Sequence, residues 1–224
     1  MNRILRPDGR LSLCADMVRR GSRLADIGTD HGYLPIELCL TDKIPSALAC
    51  DINPLPLRSA EENIARYGLS DRIKTRLSDG LAEVSSEEAD DIVIAGMGGE
   101  LIRDILSAAP WVKDGSKRLI LQPMTRHAEL IKYLYESGFE IIRQEAAFDE
   151  GKYYTALAAR YSGAVKSCDL LTSIIGALDT KNDLARGFLH RSLNDLENRC
   201  KGDPTLLCEA EKLKEILSED QRNN

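Results

Sequence analysis

No apolar run in this chain of 224 residues is long enough to cross a bilayer. The opening stretch MNRILRPDGR carries basic residues but neither an apolar core nor a small-residue cleavage site, so it does not read as a secretory signal. Six cysteines (Cys14, Cys39, Cys50, Cys168, Cys200 and Cys208) lie far apart with no CxxC pair. Three fall in apolar-periodic segments, where a reduced thiol packs as a small hydrophobe, so neither a zinc site nor a disulfide framework is expected. With three histidines in all, no metal cluster is visible either. Internal repeats and low-complexity tracts are also missing. Together these absences point to a protein of the cytosol, with no membrane, no metal and no evident obligate protein partner.

What is present is an ordinary globular composition, 43% hydrophobic and 29% charged. The net charge of −6 argues against whole-surface attraction to a polyanion. The average hides an asymmetry. Residues 1–23 hold six arginines against Asp8 and Asp16, a net of +4, while residues 24–165 carry −8 and residues 166–224 carry −2. A basic edge on an acidic body is compatible with a local polyanion contact, or with a solvated, arginine-rich first helix.

Along the first 160 residues, short apolar runs alternate with amphipathic segments. SRLADIG (22–28), SALACDI (46–52), IKTRLSD (73–79), DIVIAGM (91–97) and RLILQP (118–123) read as strands. Several are almost continuously apolar, as strands covered on both faces are. Helical patterns at 34–42, 55–67, 99–108 and 127–137 lie between them, with Pro54 and Pro56 suited to a first turn and Gly68 and Gly138 to helix ends. This alternation predicts a doubly wound α/β fold with a mostly parallel sheet. FEIIRQEAAFD and KYYTALAARY then follow one another with only Glu150-Gly151 between them, an antiparallel hairpin signal. From about residue 166 the pattern is helical. Leu170, Leu171, Ile174, Ile175 and Leu178, then Leu189, Leu193 and Leu196, make an apolar stripe that needs a partner. We divide the chain at this change, into residues 1–162 and a helical unit at 166–220.

A parallel sheet of this kind binds ligands beyond the carboxyl ends of its strands. The first strand runs into Asp26-Ile27-Gly28-Thr29-Asp30-His31-Gly32. A dinucleotide fingerprint requires G-x-G-x-x-G so that backbone can approach a pyrophosphate, and here Asp30 replaces the middle glycine. A carboxylate there repels a pyrophosphate. S-adenosylmethionine fits better, because it has no phosphate and carries a sulfonium and an ammonium that Asp26 and Asp30 are placed to meet. Asp51 after the second strand can accept both ribose hydroxyls. Asp79-Gly80 after the third can reach the adenine amino group, and the glycines of IAGMGGE (94–100) after the fourth leave room for cofactor and substrate. Any one of these has an ordinary reading, as turn aspartate, turn glycine or, for Met97, core filler. The alignment of all four with strand ends is what favours a methyltransferase.

These residues carry a family resemblance. ADIGTDHGYLPIEL, ACDINPLPLRSAEENI, RLSDGL, IAGMGGELI and LILQP, in order from about residue 10 to 160, resemble the bacterial tRNA (adenine-N1)-methyltransferase family TrmK, which acts on adenine 22 of tRNA. The resemblance implies a Rossmann-like class I methyltransferase fold with a C-terminal, coiled-coil-like helical domain. It makes Gly28, His31, Gly32 and Tyr33 cofactor-loop residues. It places Asp51 and Ile52 at the ribose and adenine, Asp79 and Gly80 at the adenine, and Gly96, Met97 and Gly98 beside the methyl-transfer site. Adenine N1 already has an in-plane lone pair, so no general base is required. Tyr33 can stack on the target base, Asp30 can accept from its 6-amino group, and Arg3, Arg6 and Arg10 can take RNA phosphates. The same residues leave two other classes open: a small-molecule methyltransferase on this fold, and a non-catalytic S-adenosylmethionine-binding protein.

Overall fold

The computed structural model describes residues 9–219. Strands β1 (Leu24–Ile27), β2 (Ala47–Asp51), β3 (Ile73–Leu77), β4 (Asp91–Gly98) and β5 (Arg118–Thr125) are interleaved with helices α2 (Tyr33–Leu40), α3 (Pro54–Arg66), α4 (Gly99–Ala108) and α5 (His127–Glu136), except that β3 passes to β4 through a single 3-10 turn. A first helix, α1 (Arg10–Met17), precedes them, and the strands β6 (Phe139–Asp149) and β7 (Lys152–Tyr161) follow. The seven strands form one sheet in the order β3-β2-β1-β4-β5-β7-β6. The first five are parallel; β7 runs antiparallel between β5 and β6. Glu150 and Gly151 both take positive φ, 49° and 77°, the geometry a two-residue hairpin turn needs to match strand twist.

The apolar runs alternate between two cores, one on each face of the sheet. In β4, Ile92 and Ile94 enter the core with Leu106, Leu130 and Phe139, while Val93 enters the other with Leu24, Ile36 and Ile64. All nine of these side chains are buried, and the sheet is covered on both faces, which is why the strands read as continuous apolar runs rather than as alternating ones.

The arginine-rich opening is not one free edge. Helix α1 runs from the carboxyl ends of the strands toward their amino ends. At the far end Arg19 gives its Nε to Asp91 Oδ1 and its backbone N–H to Asp91 Oδ2, both at 2.7 Å. Asp91 is fully buried, so these bonds compensate a carboxylate that would otherwise be costly to desolvate. Arg23 pairs with Asp90 at 2.7 Å and holds that carboxyl well below the usual range. Both sit at the amino end of β4, away from the carboxyl ends of the strands. Arg10 lies at the other end of α1, and Arg3 and Arg6 lie outside the described residues.

The helical stripe finds its partner within the chain. Helices α6 (Leu170–Ile175), α7 (Asp183–Cys200) and α8 (Leu207–Glu219) close a third cluster of Ile174, Phe188, Leu189, Leu193, Leu196 and Leu213, shared with Ala146 of β6. Gly187 admits the hairpin closely: a Cβ there would meet the Tyr153 ring at 2.2 Å. Cys168, on the way to α6, is buried in the core of the sheet.

Candidate active site

Three short hydrogen bonds draw the loops after neighbouring strands together. The N–H groups of Gly28 and Thr29 both donate to the Cys50 carbonyl, at 2.8 and 2.9 Å, which pins the loop after β1 to the end of β2. The N–H of Ser78 donates to the Asp51 carbonyl at 2.9 Å and pins the loop after β3 to the same strand. From the other side, the Met97 methyl stands 2.4 Å from where a Cβ on Gly28 would be, so the Met97 side chain at the end of β4 covers the loop after β1 at Gly28, which takes φ 74°. Asp26, Gly28, Asp51, Asp79, Gly80 and the 96–98 turn therefore gather along the carboxyl edge of β3, β2, β1 and β4. Strand order reverses between β1 and β4, the point at which open α/β sheets form their crevice.

Asp26 is the buried acid of this crevice, 5% exposed. Burial pushes its carboxyl up to about 6, against the opposing effect of the Thr29 hydroxyl, which donates to it at 2.6 Å; Asp51 adds to the upward shift. Asp51 is also buried, and its Oδ1 accepts the Asn53 N–H at 2.9 Å, which fixes the carboxylate at the start of α3. Ile52 beside it is 56% exposed on the rim. Asp79 opens onto a cavity of about 340 Å³ lined by Leu81, Ala82, Leu101, Asp104 and Ile105, apolar side chains with two carboxylates among them.

Asp30, His31 and Tyr33 form the outer lip rather than the floor. Asp30 takes φ 53°, unusual for a side-chain-bearing residue, and its carboxylate lies 3.6 Å from His31 Nε2. The His31 ring stacks on Tyr33 with centroids 5.4 Å apart, and all three side chains are exposed. Gly32 caps α2 at φ 71° and packs on Ala60, while Asn63 Nδ2 donates to the His31 carbonyl at 3.0 Å. The lip is thus held from α3.

Arg10 reaches the crevice from α1: its Nη1 donates to Gln122 Oε1 at 3.0 Å, and its guanidinium lies over Gly96. Reading the sequence missed Gln122, Thr29 and Asn63. Gln122 carried a usable signal, a lone amide inside the apolar run RLILQP of a central strand, which must find partners when buried. Thr29 and Asn63 carried none. Among the described residues, no group of three or more His, Cys, Asp or Glu side chains is placed to hold a metal, and no helix is long and apolar enough to cross a membrane.

The methyltransferase domain family matches residues 8–157. The tRNA (adenine(22)-N(1))-methyltransferase of Bacillus subtilis (strain 168) is 39% identical over 150 residues, which are 67% of this chain and 63% of that protein. The match thus spans less than two thirds of the curated relative. A putative tRNA (m1A22) methyltransferase of Streptococcus pneumoniae, solved with S-adenosyl-L-methionine, superposes with a TM-score of 0.84 at 32% identity, over 93% of this chain and 98% of that one. TrmK of M. capricolum, solved with S-adenosyl-homocysteine, gives 0.76 at 25% identity, over 95% and 96%.

Proposed function

The chain belongs to the methyltransferase domain family and, within it, to the TrmK tRNA methyltransferases; from that premise we propose that it is a cytoplasmic enzyme that methylates N1 of an adenine in tRNA, adenine 22 by kinship, using S-adenosylmethionine. Residues 1–162 form the methyltransferase domain in this reading, and residues 166–220 the helical, coiled-coil-like unit. The observation that carries it is the crevice itself. Two buried carboxylates, Asp26 and Asp51, face a site with no pyrophosphate cradle, which suits a ligand with positive charge and a diol.

Bound there, S-adenosylmethionine supplies an electrophilic methyl group on a sulfonium. Asp26 favours the cationic methionine end, and Asp51 accepts from the ribose hydroxyls. Asp79 and Gly80 meet the adenine at the cavity beside Ile105. Gly28, Gly32, Gly96 and Gly98 let backbone approach, with His31, Met97 and Ile52 against the ligand. On the acceptor side the residues need only place N1 in line with the methyl–sulfur bond, and placement of that kind contributes roughly 7–11 kcal/mol. Extruding the base costs a few kcal/mol. Tyr33 on the exposed lip offers a face to stack on it, Asp30 accepts from its amino group, and Arg3, Arg6 and Arg10 take phosphates.

Incubation with labelled S-adenosylmethionine and unmodified tRNA, followed by nucleoside analysis, is expected to yield 1-methyladenosine. Label on small metabolites alone, or cofactor binding without turnover, would overturn the reading. Asp51→Ala is expected to weaken cofactor binding by roughly 1.5–3 kcal/mol, the loss of charge-assisted hydrogen bonds, or about 10- to 150-fold in Kd. Titration calorimetry giving unchanged affinity in the folded variant would remove Asp51 from the site.

A further inference from the structure

Gln122 is fully buried on a central strand, among Leu119, Ile120 and Leu121. A buried amide is tolerated only when its hydrogen bonds are made; here Nε2 bonds within β5 and Oε1 bonds to two other elements. Its Nε2 donates to the Pro123 carbonyl at 3.0 Å. Its Oε1 accepts twice, from Arg10 Nη1 at 3.0 Å and from the Gly96 N–H at 3.1 Å.

The second of those bonds explains why an amide is needed. The β4–β5 ladder steps from Ala95↔Gln122 to Met97↔Pro123, so Gly96 is the extra residue of a bulge, at φ 81°. Its N–H has lost its ladder partner, and Gln122 Oε1 replaces the missing carbonyl. The first bond uses the same oxygen to hold the guanidinium against the bulge. Nη1 and Nη2 lie 3.6 and 4.0 Å from where a side chain on Gly96 would begin. A guanidinium has five N–H donors, and among the described residues Gln122 is the one hydrogen-bond acceptor Arg10 has. Among the described residues its remaining donors have no other acceptor, and they lie beside the Gly96 bulge.

We propose that Gln122 is a positioning residue that makes the Gly96 turn and the Arg10 guanidinium one unit, so that Arg10 meets a phosphate of the target nucleotide while Gly96 shapes the acceptor side of the pocket. The inference rests on the tRNA methyltransferase reading and adds to it the device that orients the substrate. Gln122 is fully buried behind the turn. It acts through Arg10 and Gly96.

The test uses the full chain and four variants: Gln122→Met, which keeps volume and removes the acceptor; Gln122→Glu, which restores it; Arg10→Ala; and the Arg10→Ala, Gln122→Met double variant. Single-turnover methylation of unmodified tRNA is expected to slow about a hundredfold in Gln122→Met and in Arg10→Ala, the scale of a misplaced reactant. The double variant should be no slower than the worse single, because the two act as one. Gln122→Glu should recover to within about tenfold of wild type, and in every variant the rate should fall far more than the affinity for S-adenosylmethionine. Wild-type rates in Gln122→Met, multiplicative losses in the double variant, or a cofactor affinity that falls in step with rate would each overturn the proposal. Amide hydrogen exchange at Gly96 reads the unit without reference to activity: protected in wild type, it should accelerate in Gln122→Met, and equal exchange overturns the proposal. A wild-type chain that binds cofactor yet methylates no tRNA would instead overturn the functional reading, and the exchange result would stand by itself.

Discussion

Replacing Asp26 with asparagine is expected to make the protein more stable at pH 7.5 and to weaken its hold on cofactor. Burial raises the carboxyl in the folded chain from 3.8 to about 6, so at neutral pH the native state carries an ionised group that the unfolded chain solvates better. Between those two values the folded state binds more protons, and stability therefore falls as pH rises through the window. A shift of this size amounts to roughly 3 kcal/mol at pH 7.5. Asparagine keeps an oxygen to accept the Thr29 hydroxyl and removes the charge. Thermal unfolding should rise by about 6–12 °C at pH 7.5, the gain shrinking as pH falls through 6 and vanishing below about 4. Cofactor binding should move the other way. Wild-type affinity for S-adenosylmethionine should drop about tenfold per pH unit below 6, because the cation binds the ionised form, and the variant should show weaker binding without that dependence. Equal melting temperatures at pH 7.5, or an affinity in the variant equal to wild type, would show that Asp26 is not the strained acid of the site.

Gly99→Ala should be the most damaging single methyl group in the chain. Gly99 opens α4 and is buried, and a Cβ there would stand 2.2 Å from the Arg126 carbonyl oxygen and 3.1 Å from that of Thr125. Those atoms are backbone and cannot swing aside. Arg126 caps α5 in a left-handed conformation, φ 54° and ψ 39°, and its carbonyl accepts the Leu130 N–H of the first turn. Alanine must either unseat that corner or push α4 and the 96–98 turn outward. The cost expected for such overpacking is about 3 kcal/mol, a fall of roughly 6–12 °C in Tm, together with a loss of methyl transfer. Gly21→Ala is the control. Gly21 takes φ 80° with nothing within 4 Å of the added atom, so only its backbone penalty of about 1 kcal/mol applies. Differential scanning calorimetry showing Gly99→Ala no worse than Gly21→Ala would mean that the corner yields.

How far the sequence carries can be judged element by element. All five parallel strands and helices α2 to α5 stand within a few residues of where the apolar periodicity puts them, because burial on both faces of the sheet imposes a pattern that neighbouring residues already display. The hairpin was legible for a different reason: Glu150-Gly151 is a local device whose two positive φ angles determine the turn without help from the rest of the fold. The gathering of Asp26, Asp51 and Asp79 at the carboxyl ends of neighbouring strands was legible because a parallel sheet dictates where loops collect.

The separate fates of the described arginines of the basic opening were not legible. Nothing near Arg19 or Arg23 announces Asp91 or Asp90, about seventy residues away, and nothing near Arg10 announces Gln122. Such pairings depend on the direction in which α1 crosses the sheet, which periodicity leaves open. The environment of Asp26 is of the same kind. Its chemical type and its place after a strand are written in the chain, but the shift of its carboxyl comes from how completely β2, the Thr29 turn and their neighbours exclude water. Local spacing determined the strands, the turn and the acids at the strand ends, since each depends on residues close in sequence. Which acid is strained, which arginine is structural and which glycine has no room for a methyl were decided only by the packed fold, where desolvation and contact distance act between residues that the chain order keeps apart.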